Sequence, residues 1–199
     1  MEIYADQGHT DFVLAAGYKA DMVVAFSRRL PSDWTVDVVD TGEATNTGAR
    51  VLRCLDRLGP TFFASYGDGL GDVDLAALLA FHRSHAGSAT VTTVDLPSPY
   101  GTIEQDSDCR VLRFREKPRL RDHQINAGFF VFDQAALAEH AGDDLERDVL
   151  PALGRAGLLY AYAHTGFWRS MDTYKDSVEL SAFCGDGKPP WKASPSREV

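Results

Sequence analysis

Long apolar runs are missing from this 199-residue sequence. The most sustained, Phe12 to Ala16 and Leu75 to Phe81, fall far short of the roughly 20 residues that cross a bilayer, so no membrane partner is expected. The first residues, Met1-Glu2-Ile3-Tyr4-Ala5-Asp6, place acids where a secretory signal needs a basic and then an apolar stretch, which predicts a cytoplasmic protein. Cysteine is scarce: Cys54, Cys109 and Cys184 are odd in number and widely separated, without the close pairing of a zinc or redox site, and read as buried or incidental thiols. Positive charge is in deficit. The net charge of −9 repels polyanions and argues against nucleic acid as a partner, leaving small phosphorylated ligands at a local basic site. No G-x-S-x-G elbow, Cys/His cluster with metal spacing or G-x-x-x-x-G-K-[ST] loop occurs, which removes serine hydrolases, zinc modules and P-loop proteins.

What is present is a globular composition, 44% hydrophobic and 25% charged, which can fill a core. Residues 1–185 are expected to form a single domain, followed by a loose tail over 186–199 rich in Gly, Pro, Ser and Lys. Strands are predicted at Phe12 to Ala16, Thr35 to Val39, Thr61 to Tyr66, Ala89 to Val94, Ile125 to Asp133 and Leu158 to Ala163, from β-branched and aromatic residues bounded by Gly or Pro. Helical patterns lie between them. Val51, Cys54, Leu55 and Leu58 share one face of an expected helix from Arg50 to Leu58. Leu75, Leu78, Leu79 and His82 follow Asp72 and Asp74, either of which could cap. Further helices are expected from Gln134 to Glu139 and from Thr173 to Ala182, and His82 and His85 are placed on a helix surface. Alternation of strand and helix predicts a Rossmann-like α/β fold, a mostly parallel mixed sheet flanked by helices, with a hairpin inserted between Gly101 and Lys117.

Chemistry concentrates in a few segments. Tyr66-Gly67-Asp68-Gly69 follows a buried strand, and ligands collect beyond the carboxyl ends of strands in open α/β sheets; Asp68 reads either as a ligand group or as a turn aspartate. Asp172, in Gly166-Phe167-Trp168-Arg169-Ser170-Met171-Asp172-Thr173, could bind a metal or cap the helix that follows. Two carboxylates at one sheet edge suit a Mg2+ ion shared with substrate phosphates. Arg113, Arg115 and Lys117 alternate along an extended chain and could face a phosphate or defend a solvated edge, with Pro118 fixing the chain after Lys117. Asn126-Ala127-Gly128 could serve sugar hydroxyls or a local turn. Thr41 to Arg50 is a small-residue loop whose amides could read a base or phosphate at the helix start.

In order, Gly17-Tyr18-Lys19, Val39-Asp40-Thr41-Gly42, Thr47-Gly48-Ala49-Arg50, Tyr66-Gly67-Asp68-Gly69, Phe114-Arg115-Glu116-Lys117-Pro118, Ile125-Asn126-Ala127-Gly128-Phe129-Phe130 and Gly166 to Thr173, with Lys188-Pro189-Pro190-Trp191-Lys192 closing the series, resemble the glucose-1-phosphate cytidylyltransferase family. The resemblance implies the nucleotide-diphospho-sugar transferase fold and the reaction of CTP with α-D-glucose 1-phosphate to give CDP-glucose, a deoxysugar precursor, and pyrophosphate. It implies that Asp68 and Asp172 hold Mg2+, that Lys117 joins them as a catalytic residue, and that Glu116 with Lys117 holds the sugar phosphate. Asn126 and Gly128 would face the glucose, Tyr100 and Gly101 would approach the sugar nucleotide, and Gly67, Thr47, Gly48 and Arg50 would lie at the nucleotide. A homo-oligomer is also implied.

The same resemblance carries departures. Family members open with a strand and a G-G-x-G-T-R loop that grips the triphosphate, and Met1 corresponds to a position beyond it. The fold is therefore expected to be N-terminally incomplete, with the complete protein starting upstream. Loss of one preorganised donor costs about 10²- to 10³-fold, so this chain is expected to be slow and, with a strand lost, prone to associate. There is little room between Arg28 and Asp37 for the family's insertion, and Ala49 stands where glycine is usual. Two alternatives remain, a degenerate homologue serving as a binding or partner subunit, and a related transferase for another NTP or sugar 1-phosphate.

Overall fold

The computed structural model describes residues 1–185, 187 and 189–192, with the side chains of residues 121 and 122 outside it. The chain begins α1 (Glu2–Ala5), β1 (Asp11–Ala16), α2 (Ala20–Ser27), β2 (Thr35–Asp40), α3 (Thr47–Leu52), β3 (Thr61–Ser65), β4 (Gly69–Gly71), α4 (Leu75–Ser84) and β5 (Ala89–Pro97). It continues β6 (Thr102–Gln105), β7 (Val111–Arg115), β8 (Arg119–Asp133), α5 (Gln134–Glu139), a π-helical turn (Leu145–Val149), α6 (Leu150–Arg155), β9 (Leu159–Ala163), β10 (Trp168–Ser170) and α7 (Tyr174–Gly185). Short 3-10 turns occupy Leu55–Arg57 and Pro190–Lys192.

The apolar run Phe129-Phe130-Val131-Phe132 organises the fold, because each of its side chains is fully buried. Successive strand residues point to opposite faces, so the run must be covered on both sides. Phe129 and Val131 pack with Ile3, Val73, Leu75, Leu78, Leu180 and Trp191. Phe130 and Phe132 pack on the other face with Ala136, Leu137, Leu145, Val149 and Leu153. The strand order is β3-β8-β5-β9. Here β8 is antiparallel to β3 and β5 while β9 is parallel to β5, so three strands share a direction and β8 alone opposes them. This is the mixed α/β sheet flanked by helices that the sequence predicts.

Beside it, β1 and β2 form a separate parallel pair, β4 pairs with β10, and β6 with β7 makes the expected hairpin. Among the described residues no ladder joins β1 or β2 to the four-stranded sheet. The pair is held instead through α3, whose Ala49 amide donates to Asp143 O at 3.0 Å, and whose Asn46 side chain donates to Asp143 at 2.6 Å.

Several expectations need correction. The helix expected from Arg50 to Leu58 is α3 plus a 3-10 turn, because Cys54 N bonds to Val51 O and tightens the chain, burying Cys54 before Gly59-Pro60 feeds β3. His82 is buried and His85 half-buried, where both were expected on a helix surface. The packing of α4 on β5 puts both rings on Thr90 Oγ1, each at 2.9 Å, and stacks His85 on Tyr160. Of the two candidate caps it is Asp74 that accepts from Ala77 N, at 2.8 Å. Within the tail expected to be loose, Pro190–Lys192 is a 3-10 turn whose Trp191 is buried among Phe167 and Phe183, with Lys192 paired to Glu2 at 2.6 Å. Residues 186, 188 and 193–199, and with them that part of the tail and Lys188 of the closing motif, lie outside the described residues.

Candidate active site

The two aspartates are brought to the same end of a strand pair too short to read in the sequence. The register sets Ser170 opposite Gly69, and Met171 N donates to Asp68 O at 2.8 Å. Asp68 and Asp172 thus leave adjacent ends of one antiparallel pair. Asp172 is not the helix cap. Thr173 fills that role: its Oγ1 accepts from Asp176 N at 3.2 Å while Asp176 accepts from Thr173 N at 2.9 Å, a reciprocal capping box. Among the described residues Asp172 then accepts only from Ser170 Oγ, at 2.7 Å. The Asp68 carboxylate is exposed and carries no hydrogen bond or ion pair among the described residues. A side chain added at Gly67 would meet no protein atom within 4 Å, so the space beside Asp68 is open. Among the described residues no group of three or more His, Cys, Asp and Glu gathers as a metal cage. Two open carboxylates fit a magnesium ion that completes its shell with water and substrate phosphate.

A second constellation lies at the ends of β3 and β8. Register shifts in the β5–β8 ladder between Val91 and Thr93 leave residues 127–129 as a bulge, where Gly128 has φ +76° and receives the Tyr66 ring. A Cβ at Gly128 would sit 2.5 Å from Tyr66 Cδ2. Gly128 N donates to Asn126 Oδ1 at 2.8 Å, and Asn126 Nδ2 donates to the Tyr66 hydroxyl at 3.2 Å. That hydroxyl donates to Glu146, whose other oxygen accepts from Thr47 Oγ1 at 2.8 Å. Burial, then the Glu146 bond, raises the Tyr66 phenol above its ordinary range. Trp168 Nε1 donates to Ala127 O at 2.7 Å, tying the aspartate strand pair to this bulge.

The expected nucleotide residues divide. Thr47 stands exposed in the network just described. Gly48 is buried against the backbone of residues 142–144, where a Cβ would meet Gly142 O at 2.5 Å. Arg50 lies over Gly17 and clamps the end of β1, donating to Ala16 O at 3.1 Å and Thr41 Oγ1 at 2.6 Å.

Glu116 and Lys117 stand apart. A Cβ at Gly101 would lie 3.1 Å from Glu116 Oε2, so Tyr100-Gly101 and Glu116-Lys117 face each other. Lys117 adopts φ +45°, a left-handed conformation that a non-glycine residue holds only where its surroundings impose it. It has no ion pair among the described residues, whereas Arg113 and Arg115 are both paired with Glu104, which commits the two arginines to the hairpin surface. The ladder places Arg119 opposite Pro97 and Asn126 opposite Thr93. Four residues of β5, about 13 Å of extended strand, therefore separate the level of Arg119, two residues after Lys117, from that of Asn126.

A cavity of about 540 Å³ opens beyond β5 and β9, lined by Asp95, Arg119, His164, Thr165 and Gly166. None of the expected site residues lines it. At its rim His164 Nε2 lies 3.1 Å from Phe167 O and 3.0 Å from Asp72 Oδ1. One N–H serves one acceptor, and with the carbonyl taking it the buried Asp72 Oδ1 is left without a hydrogen bond. Sequence reasoning missed Glu146, Tyr66 and Trp168 as site residues. Tyr66 and Trp168 carried a signal, each by its place in an aspartate motif, Tyr66 at the head of Tyr66-Gly67-Asp68-Gly69 and Trp168 two residues after Gly166; Glu146 carried none.

A nucleotidyl transferase family model matches residues 14–185. The chain is 31% identical over 218 residues to a glucose-1-phosphate cytidylyltransferase of Salmonella typhi, covering 96% of this chain and 84% of the relative. It is 32% identical over 217 residues to a probable glucose-1-phosphate cytidylyltransferase of Bacillus subtilis, covering 96% and 85%. Among solved structures, HddC from Yersinia pseudotuberculosis superposes with a TM-score of 0.70 at 22% identity, covering 94% of this chain and 83% of that one.

Proposed function

The chain belongs to the nucleotidyl transferase family, and from that premise we propose that it transfers a cytidylyl group from CTP to α-D-glucose 1-phosphate, releasing pyrophosphate. The observation that carries the reading is the convergence of Asp68 and Asp172 across β4 and β10, with Asp172 freed from capping by Thr173 and Asp176. A sugar phosphate oxygen would attack the α-phosphorus in line with the departing pyrophosphate, a reaction that asks a protein chiefly for positioning and charge neutralisation. Magnesium, held by Asp68 and Asp172, would supply charge neutralisation on the phosphates. Lys117, exposed and without an ion pair among the described residues, would hold the sugar phosphate together with Glu116. Asn126 and Gly128 would face the glucose, Tyr100-Gly101 would approach the sugar nucleotide, and Thr47 would stand toward the nucleotide.

The substrates are water-soluble phosphates, and no helix among the described residues is long and apolar enough to cross a membrane; a cytoplasmic site fits both. Self-association is part of the reading, supported by Ile103, Leu112 and Phe114, which are exposed on the β6–β7 hairpin. Light scattering that reads a monomer would remove it.

The test is pyrophosphate release and sugar-nucleotide formation with CTP, GTP, UTP and dTTP, with and without magnesium. The expected result is magnesium-dependent CDP-glucose formation selective for CTP, and its loss by at least about 100-fold in Asp172→Asn, the scale of removing one preorganised electrostatic group. Equal use of another nucleotide would reassign the base, and an Asp172→Asn variant with unchanged turnover would remove that residue from the site.

A further inference from the structure

Glu146 lies outside every motif that points to the reaction, yet both of its carboxylate oxygens are engaged, by groups from two separate strand blocks. One accepts from Thr47 Oγ1 at 2.8 Å, the other from the Tyr66 hydroxyl. Thr47 begins α3, on the side of the β1–β2 pair. Tyr66 follows β3 and is bonded to Asn126 of β8 at 3.2 Å. These two blocks share no ladder among the described residues. The carboxylate is therefore a direct polar bridge between the segment expected to meet the nucleotide and the segment expected to meet the sugar.

The donor and acceptor directions are consistent along the whole path. Leu145 N donates to Thr47 Oγ1 at 2.9 Å, so the Thr47 proton is free for Glu146. Gly128 N fixes Asn126 Oδ1 at 2.8 Å, so the Asn126 amide turns its N–H to Tyr66, and the Tyr66 proton is left for Glu146. A carboxylate is the one side chain of this size that accepts from both hydroxyls at once, being acceptor-only when ionised. Its place is fixed by the π-helical turn Leu145–Val149, where Asp144 accepts from Glu146 N at 3.0 Å and from Arg147 N at 2.8 Å. Single π-turns are rare and are frequent at functional sites. All four linked side chains reach the surface: Thr47, Asn126 and Glu146 are exposed and Tyr66 is half-buried. A network placed there for packing alone would be covered.

We propose that Glu146 is a positioning residue that couples the nucleotide side of the site to the sugar side, so that binding of one substrate tightens binding of the other. The proposal rests on the nucleotidyltransferase reading for the identity of the ligands. A nucleotide that orders Thr47 also orders Glu146, and through it Tyr66 and Asn126; the sugar phosphate then meets a wall whose ordering is already complete, and linkage makes the effect reciprocal.

The experiment is calorimetric titration of glucose 1-phosphate into the protein with magnesium, with and without a non-hydrolysable methylene analogue of CTP. The nucleotide is expected to tighten sugar-phosphate binding by at least about fivefold in the wild type, the lower end of ordinary coupling, and by less than about twofold in Glu146→Gln, whose amide accepts from only one hydroxyl. Glu146→Asp, which keeps two acceptors, should restore part of it. Unchanged coupling in Glu146→Gln, or none in the wild type while both ligands bind, overturns the proposal and leaves the proposed function standing. A wild type that binds neither ligand overturns the proposed function instead, and the bridge is then decided without ligand. Thr47→Val and Tyr66→Phe, combined in a cycle on the urea-unfolding constant, should deviate from additivity by at least about threefold in the wild-type background and not in the Glu146→Gln background; additivity in both backgrounds overturns the bridge.

Discussion

Replacing Gly128 by alanine probes the geometry of the bulge that holds Tyr66 and Asn126, the proposed sugar side of the site. A non-glycine residue in the left-handed region costs roughly 1–2 kcal/mol, and Gly128 stands at φ +76°. The new methyl would also lie 2.5 Å from Tyr66 Cδ2, inside any tolerable contact. The ring must move, and its hydroxyl then gives up good geometry with Asn126 and Glu146, at about 0.5–1.5 kcal/mol for each hydrogen bond. Against this, alanine restricts the unfolded chain and returns about 0.5 kcal/mol. Gly128→Ala is therefore expected to destabilise the fold by about 2–3 kcal/mol in urea unfolding followed by circular dichroism. Its companion is the same change in a Tyr66→Ala background, where the steric part vanishes, the backbone part stays, and the cost should fall to about 1 kcal/mol. A cost below about 0.5 kcal/mol in the wild type would refute the reasoning altogether. Equal costs in the two backgrounds would refute the part that runs through Tyr66.

Trp168→Phe keeps an aromatic ring and deletes the donor to Ala127 O; it should cost about 1 kcal/mol in unfolding and weaken sugar-phosphate binding by calorimetry, because β10 loses its tie to the bulge. His85 is held below its ordinary value of 6.5, by burial first and by neighbouring His82 second, with Thr90, Tyr160 and Asp133 completing its surroundings. The unfolded state then takes up the proton more readily than the folded one, so this contribution to stability is present above about pH 6.5 and is lost as the pH falls through the lower folded value. Urea midpoints between about pH 8 and about pH 5 should fall less steeply for His85→Gln than for the wild type, and parallel profiles would reject the assignment.

The sheet was legible because its strands are apolar runs with β-branched and aromatic content, and Phe129 to Phe132 declared a strand covered on both faces. The aspartate pair was legible only as two separate motifs. What joins them, β4 and β10, is three residues on each side, including Gly69 and Gly71, and carries no periodicity to detect. Asp172 illustrates the same limit from the other direction: a capping role fitted the sequence equally well, and only the bonds of Thr173 to Asp176 settle which residue caps. Glu146 could not be found at all, since it sits in the charged run Asp143-Asp144-Leu145-Glu146-Arg147-Asp148, which reads as a solvated helix start, and its partners Thr47 and Tyr66 are 99 and 80 positions away in sequence. His82 and His85 misled for a similar reason, as helical spacing says nothing about a threonine on the neighbouring strand.

The absence of a ladder between the β1–β2 pair and the four-stranded sheet, among the described residues, has a kinetic meaning. A pair of strands anchored by one short helix and a few polar contacts opens more readily than strands locked in a continuous sheet, and it opens as a unit. Amide protons of Val13, Leu14 and Val38 should therefore exchange with solvent through a cheaper opening than those of Phe130 and Phe132. The segment that carries Thr47, proposed to stand toward the nucleotide, is attached to that unit, so a bound nucleotide would leave its mark far from any phosphate, as slowed exchange along β1 and β2.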